Sequence, residues 1–353
     1  MTYELPRYRP PSEAYSLLVK VMRGCPWNRC TFCSMYKDMR FEGKNSIRLV
    51  EDVKRDIDTL RAVADATEEI SKKLGYNGEV NEYVLGSMLE TGLDVYNFPW
   101  LAEYGHKPER AFLADSNPLV VKTDDLVEIL THLYNTFPSL KRVTSYARAK
   151  TVVMKKSGEL ERLKEAGLTR LHLGLESGDD VVLERVEKGA TSYEMIEGGK
   201  RARELFELSE YVMPGLGGRE LSDQHARGTA RVLNAINPHY TRLRPLGVSF
   251  GTPLYDAYQS GEFEVLSPHE ILRELRTMIG ELDITGRVCF DHNMNPCYRE
   301  PDGIDVGEGR VSHVFSLDYE GYKFPEGQGN VLALIDHALK IDERRYVDAH
   351  MRL

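Results

Sequence analysis

Arg23-Gly24-Cys25-Pro26-Trp27-Asn28-Arg29-Cys30-Thr31-Phe32-Cys33-Ser34-Met35-Tyr36 decides how the rest of this 353-residue chain is read. It places three of the chain's five cysteines within nine residues, directly behind the apolar run Tyr15-Ser16-Leu17-Leu18-Val19-Lys20-Val21-Met22. A strand delivering three thiols onto one loop is a metal-site pattern, because three sulfurs this close cannot all pair with one another. Two- and four-residue spacers between soft thiolates suit iron-sulfur ligation. Structural zinc takes four protein ligands, whereas a [4Fe-4S] cube on three cysteines leaves one iron open to a non-protein ligand. The competing reading is a zinc knuckle completed by Cys289, Cys297 or a distant histidine.

The formal charge of -9 supplies no strong basic field for a nucleic-acid backbone, which disfavours a tRNA substrate. The odd cysteine count, an opening Met1-Thr2-Tyr3-Glu4-Leu5 without signal character and the lack of an apolar run near 18 residues predict a cytoplasmic protein. A reducing compartment also suits an oxygen-labile cluster.

Working outward, residues 1–14 read as a polar lead-in arm. After the cysteine loop, Leu49, Val50, Val53, Ile57, Leu60 and Ala64 recur at helical steps between Arg48 and about Ile70. Regularity lapses over about 75–109, which reads as an insertion packed by Met88, Tyr96, Phe98, Trp100 and Tyr104. Strands are expected at Arg110–Asp115, Lys141–Tyr146, Leu171–Leu175, Tyr211–Met213 and Tyr240–Pro245, with an edge strand at Val288–Phe290. Helices are expected between them. One carries Leu126, Ile129, Leu130, Leu133 and Phe137 inward; others start at Ser157, at the capping box Thr191-Ser192-Tyr193-Glu194, at Ser222, and at Ser267-Pro268-His269-Glu270. A terminal helix begins near Asn330. Six successive strand-helix units imply an α/β fold with parallel strands and right-handed crossovers. The economical form is a partial (β/α)6 TIM-like barrel over 15–290, with the insertion after its first helix and a C-terminal extension of lid and helix over 291–353. Cys25 to Cys33, Asp115, Tyr146, Glu176 and Gly215 then all fall at the carboxyl ends of strands.

The cysteine loop resembles that of the radical S-adenosylmethionine (radical SAM) superfamily. The family's usual loop is C-x3-C-x2-C with an aromatic before the third cysteine; here the spacing is C-x4-C-x2-C, and Phe32 is the aromatic. A second stretch, Arg170-Leu171-His172-Leu173-Gly174-Leu175-Glu176-Ser177-Gly178 with Leu183, Val186, Lys188-Gly189 and Thr191, is similar to the fourth-strand segment of the coproporphyrinogen-oxidase, Elp3 and methylthiotransferase branch. The resemblance implies that Cys25, Cys30 and Cys33 hold [4Fe-4S], that SAM chelates the open iron, and that Glu176 helps position SAM. The bland alternative for Glu176 is a solvated carboxylate balancing Arg170 or Lys188. Asp115-Ser116-Asn117-Pro118 stands where the family often has Gly-Gly-Glu-Pro, which makes Asp115 and Ser116 candidates for the SAM amino group beside a plain Asx turn.

Other candidates follow from residue chemistry. The turn Pro214-Gly215-Leu216-Gly217-Gly218 can bring Gly215 backbone close to adenine, with Phe32 adding apolar contact. Arg148 and Arg244 can pair with the SAM carboxylate or an anionic substrate. Tyr146 and Tyr255 are hydrogen-atom or proton partners on chemical grounds. Cys289, His292 and Cys297 either serve an auxiliary metal or fold a substrate-side loop, and the second is favoured because two cysteines do not complete a second cube.

By the resemblance, the cluster reductively cleaves SAM to a 5'-deoxyadenosyl radical that takes hydrogen from a small-molecule substrate, with flavodoxin or ferredoxin as external reductant. Met35 stands where the coproporphyrinogen oxidases carry a fourth cysteine, and five cysteines do not supply the extra three-cysteine domain of methylthiotransferases. The alternatives are an RNA-modifying radical SAM enzyme and a non-catalytic, metal-stabilised binding protein.

Overall fold

The computed structural model describes residues 3–300 and 310–347, and the middle of the expected lid, 301–309, lies outside them. In chain order, β1 (Leu17–Lys20) leads through the cysteine loop to α1 (Val50–Lys73), whose Val53, Ile57, Leu60 and Ala64 are buried as the periodicity requires. Leu49 is not part of that face: it is the residue before the first turn and is 71% exposed. The expected insertion folds as α2 (Glu82–Glu90) and α3 (Trp100–Tyr104), burying Met88, Phe98 and Trp100 but leaving Tyr96 exposed. Then come β2 (Arg110–Ala114), α4 (Thr123–Thr136), β3 (Arg142–Ala147), α5 (Ala149–Met154), α6 (Ser157–Glu165), β4 (Leu168–Glu176), α7 (Asp180–Arg185), α8 (Ser192–Leu205), β5 (Glu207–Val212), α9 (Gly218–Ile236) and β6 (Tyr240–Leu243). The chain continues with α10 (Pro253–Ser260), α11 (Pro268–Gly280), β7 (Arg287–Cys289), β8 (Cys297–Arg299), β9 (Val311–His313), β10 (Tyr322–Lys323) and α12 (Gln328–Ala338).

Two of the expected helix starts are in place, each with a reciprocal capping box: Thr191 with Glu194 on α8, and Ser267 with Glu270 on α11. Two others move. The residue capping α6 is Lys156, with Ser157 already inside the helix. Ser222 caps nothing, because α9 starts four residues earlier at Gly218 and bends at Leu221, and the Ser222 hydroxyl donates instead to Glu274.

The chain forms two compact units. The first comprises 3–26, 38–147 and 154–171, where β1, β2 and β3 pair in parallel and α4 covers Leu126, Ile129, Leu130 and Leu133. The second comprises 27–37, 148–153 and the described residues from 172 onward. Within it β5, β6 and β7 pair in parallel, and β10 adds antiparallel to β7. The strand order follows the chain in both, β1-β2-β3-β4 and then β4-β5-β6-β7-β10. This is the mostly parallel α/β fold with six strand-helix units that the periodicities predict. The segment expected as an edge strand is instead an interior seventh parallel strand, because Tyr322 and Lys323 pair along its far side. No helix among the described residues is long and apolar enough to cross a membrane.

Candidate functional site

In the first unit, the cysteine loop leaves β1 through Gly24, which sits at φ +75 with room for a Cβ only 3.1 Å from the Met39 carbonyl oxygen. The Ser116 hydroxyl donates to the Gly24 carbonyl at 2.8 Å, so Ser116 pins the start of the loop. Asp115 is buried, with Oδ2 3.8 Å from Lys20 Nζ, and Lys20 also reaches Glu4 at 3.1 Å. Burial works against the Glu4 carboxylate, yet hydrogen bonds from Arg23 and Lys20 bring it down to about 2. The arm is thus ion-paired onto β1 through Glu4. Tyr146 stands edge-on to Phe112 at 4.9 Å in a small cluster with Leu18 and Ala114.

In the second unit, Asn28 at φ +45 gives the longer cysteine spacer its turn, and its side chain donates to the Tyr36 carbonyl at 2.7 Å. Thr31 is bound on both sides: its amide donates to Val186 O at 3.0 Å and its carbonyl accepts from the Leu254 amide at 3.1 Å. Phe32 packs against the apolar cluster of Val182, Val186, Leu216, Leu246 and Leu254. Burial pushes the Cys30 thiol up, and Lys188 followed by Arg148 pulls it back. None of the five cysteines is in a disulfide.

The end of β4 faces the same loop. Glu176 and Lys188 form an ion pair at 3.1 Å with side chains 15% and 9% exposed. Gly174 makes that pair fit, since a Cβ there would lie 2.3 Å from Glu176 Oε1 and 3.0 Å from Lys188 Nζ. Glu176 itself is at φ +62, as Asp115 is at +76, so two strand ends at predicted site positions hold conformations unfavourable to non-glycine residues. Glu210, on β5, is buried, and desolvation pushes its carboxyl well above the usual range despite Lys188. Arg148 opens α5, which lies close on α8 because Gly198 has no Cβ to strike the Ala149 carbonyl 2.6 Å away. Its guanidinium donates to Lys188 O and stacks over Trp27 at 5.0 Å.

Gly215, at φ +85, donates its amide to Glu274 Oε1 at 2.6 Å, and Ser222 donates to Oε2 at 2.6 Å. His225 Nε2 lies 3.7 Å from the same carboxylate, while its Nδ1 meets the Ser177 hydroxyl at 2.8 Å. Burial raises the Glu274 carboxyl, partly offset by His225. This network joins the residue after Glu176 to the glycine turn. Arg244 continues β6 with its amide on Val212 O at 2.9 Å, and Tyr255 on α10 stands edge-on to the exposed Phe250 at 5.3 Å. Cys289 ends β7, donates to Tyr319 O at 3.4 Å and is pushed up to about 12 by burial, whereas Cys297 begins β8. Arg242 and Asp291 form a buried pair at 2.5 Å beside them.

The second unit therefore brings Cys30, Cys33, Phe32, Arg148 and Glu176 to one region, while Cys25, Asp115, Ser116 and Tyr146 belong to the first. Sequence reading missed Trp27, Glu210 and Glu274, and took Lys188 only as a counter-charge; its signal was its place in the quoted fourth-strand segment. Among the described residues no three His, Cys, Asp or Glu side chains are gathered closely enough to hold a metal ion. The donor chemistry nevertheless fits a thiolate-ligated cluster: three undisulfided cysteines on one loop, with Lys188 and Arg148 favouring the Cys30 thiolate.

Residues 102–230 match the model of the radical SAM superfamily. That superfamily uses a [4Fe-4S] cluster and SAM. The matched stretch begins after the cysteine loop and includes Asp115, Arg148, Glu176, Lys188 and Gly215. Among solved structures, Elp3 of Methanocaldococcus infernus with an N-terminal deletion is similar at 12% identity over 92% of this chain and 63% of its own, with a TM-score of 0.46. Coproporphyrinogen III oxidase of Escherichia coli is similar at 16% identity over 75% and 51%, with a TM-score of 0.45. The methyltransferase TsrM of Kitasatospora setae is similar at 16% identity over 73% and 43%, with a TM-score of 0.46. The chain spans less than two thirds of each of these. No curated protein matches the sequence.

Proposed function

We propose that the chain is a radical SAM enzyme in which Cys25, Cys30 and Cys33 hold a [4Fe-4S] cluster and a small molecule is the substrate. The observation that carries this is the superfamily match over 102–230 together with a three-cysteine loop whose Cys30 lies near the Glu176–Lys188 pair. When bound, the cluster and SAM would supply one-electron reductive cleavage to a 5'-deoxyadenosyl radical. The chain's own residues do the rest. Lys188 and Arg148 favour thiolate at Cys30. Glu176, fixed by Lys188 at 3.1 Å, presents a carboxylate oxygen to hydroxyl or ammonium donors. The Gly215 turn, held by Glu274, exposes backbone that a planar base can approach, and Phe32 with its apolar neighbours excludes water. Tyr146 and Tyr255 are proposed proton or hydrogen-atom partners. Arg244 is proposed for anion binding, as are Asp115 and Ser116 for the SAM amino group. An acidic chain of this composition fits a small metabolite substrate and an external one-electron reductant such as flavodoxin or ferredoxin.

The test is anaerobic reconstitution with iron and sulfide, followed by dithionite and SAM. Brown protein absorbing near 400 nm that releases 5'-deoxyadenosine supports the reading, with loss of both in Cys30→Ser. Fully iron-loaded protein that neither binds nor cleaves SAM refutes it.

A further inference from the structure

The segment Val186-Glu187-Lys188-Gly189 offers three successive carbonyl oxygens to the second unit's cysteine loop and its neighbour. Val186 O accepts from the Thr31 amide at 3.0 Å, Glu187 O from Trp27 Nε1 at 2.6 Å, and Lys188 O from the Arg148 guanidinium. The same indole carries Arg148 over its ring at 5.0 Å and Arg29 at 5.3 Å. Gly189, at φ +68, meets Trp27 where a Cβ would lie 2.1 Å from Cζ2, so only glycine admits the ring. Glu187 bends the segment at φ +48. Trp27 and Thr31 bracket Cys30 in the chain, and both anchors land within two residues of Lys188, whose ammonium holds Glu176.

A tryptophan retained for bulk needs neither a hydrogen bond to a bent backbone nor a glycine cut to its outline. We infer that Trp27 is a positioning residue of the cysteine loop: it seats the Cys30 stretch on Val186–Gly189, with Arg148 as the clamp, and so registers that thiol against the Glu176–Lys188 pair. The four-residue spacer serves this arrangement, since Asn28 turns the chain behind the indole and is tied back through Tyr36 O at 2.7 Å and Lys37 Nζ at 3.0 Å. Arg148, expected from sequence to meet an anion, acts through Trp27 and Lys188 O. The inference rests on reading the loop as a cluster loop.

The apo-protein tests it. Reduced protein is alkylated with N-ethylmaleimide and each cysteine's rate is mapped by mass spectrometry, with the fully buried Cys289 as internal control. Trp27→Phe, which keeps a smaller aromatic ring but loses the hydrogen bond to Glu187 O, should speed Cys30 labelling about fivefold. Trp27→Ala and Gly189→Ala should speed it about tenfold or more. Cys289 should stay slow in all three. In reconstituted Trp27→Phe, the change that SAM makes to the reduced cluster's electron paramagnetic resonance spectrum should need several-fold more SAM. Cys30 labelling at the wild-type rate in both Trp27→Ala and Gly189→Ala overturns the inference, as does acceleration of Cys289 in parallel with Cys30 in Trp27→Phe. Wild-type protein that takes up no cluster would refute the proposed function and leave the apo-protein result intact.

Discussion

Lys188→Met removes one member of the Glu176–Lys188 pair and leaves a carboxylate that is 15% exposed beside Gly174. At 3.1 Å the gross attraction is about 5 kcal/mol for an effective dielectric near 20, most of it offset by desolvation. Removing one partner of a fully buried pair costs about 3–5 kcal/mol; residual water access to Glu176 brings the expected loss to about 2 kcal/mol. In a chain of this length that is a fall in Tm of roughly 3 °C. The double variant Glu176→Gln with Lys188→Met should lose less than Lys188→Met alone, because no unpaired charge remains. A second readout has opposite signs in the two single variants. Lys188 is the strongest influence lowering the Cys30 thiol and Glu176 is among those raising it. Lys188→Met should therefore slow Cys30 alkylation at pH 8 about threefold, and Glu176→Gln should speed it. Thermal melts and mass-resolved alkylation measure both. A Lys188→Met protein as stable as wild type with unchanged Cys30 labelling, or additive losses in the double variant, would refute the coupling.

Gly174→Ala should displace the Glu176 carboxylate that lies 2.3 Å from the new Cβ, weakening SAM binding by the reconstituted enzyme about tenfold by equilibrium dialysis. Glu274→Ala strips Gly215 N and Ser222 Oγ of their acceptor and should cost about 2–3 kcal/mol in urea unfolding, whereas Glu274→Gln should cost under about 1 kcal/mol. His292 is lowered to about 4 by burial and by Arg244. Its contribution is present above the unfolded value near 6.5 and is lost as pH falls toward 4, because the unfolded chain takes the proton first. After discounting partial exposure, stability should drop by roughly 2 kcal/mol across that window, and His292→Gln should flatten the profile. Cys289→Ala and Cys297→Ala should keep the iron content of wild type, since both thiols are buried, on β7 and β8, and two cysteines do not complete a second cube.

Much of this was legible where local pattern and burial agree. The period of Val53, Ile57, Leu60 and Ala64, and the two serine or threonine capping boxes, report interactions spanning a few residues, and the structure honours them. Ser222 misleads because its hydroxyl bonds with Glu274, fifty-two residues away, and no local rule reports a partner at that distance. Val288 reads as an edge because its second neighbour, Tyr322, lies thirty-four residues further along the chain. The short helices α5, α7 and α10 left too little period to detect, although α5 is what sets Arg148. Candidate residues were found by type and place, but their partners were not: Ser116 hydrogen-bonds Gly24, and Arg148 is committed to Trp27 and Lys188 O.

The charge around Cys30 opposes the burial that disfavours its thiolate. Lys188 and Arg148 act on the sulfur from one side of the balance; Glu176 is paired with Lys188, and Glu210 is driven toward its neutral form by burial near that pair. A second ionised carboxylate there would compete with Glu176 for Lys188. Desolvation of Glu210 therefore lessens the negative charge beside the Glu176–Lys188 pair. The same burial that makes Cys30 reluctant to ionise alone also excludes water from a metal that would fix it as thiolate. Thiol and carboxyl are thus both pushed up by desolvation; Lys188 opposes it at each and Arg148 at the thiol as well, and a soft metal bound at the sulfur would complete the reversal that these cations leave unfinished.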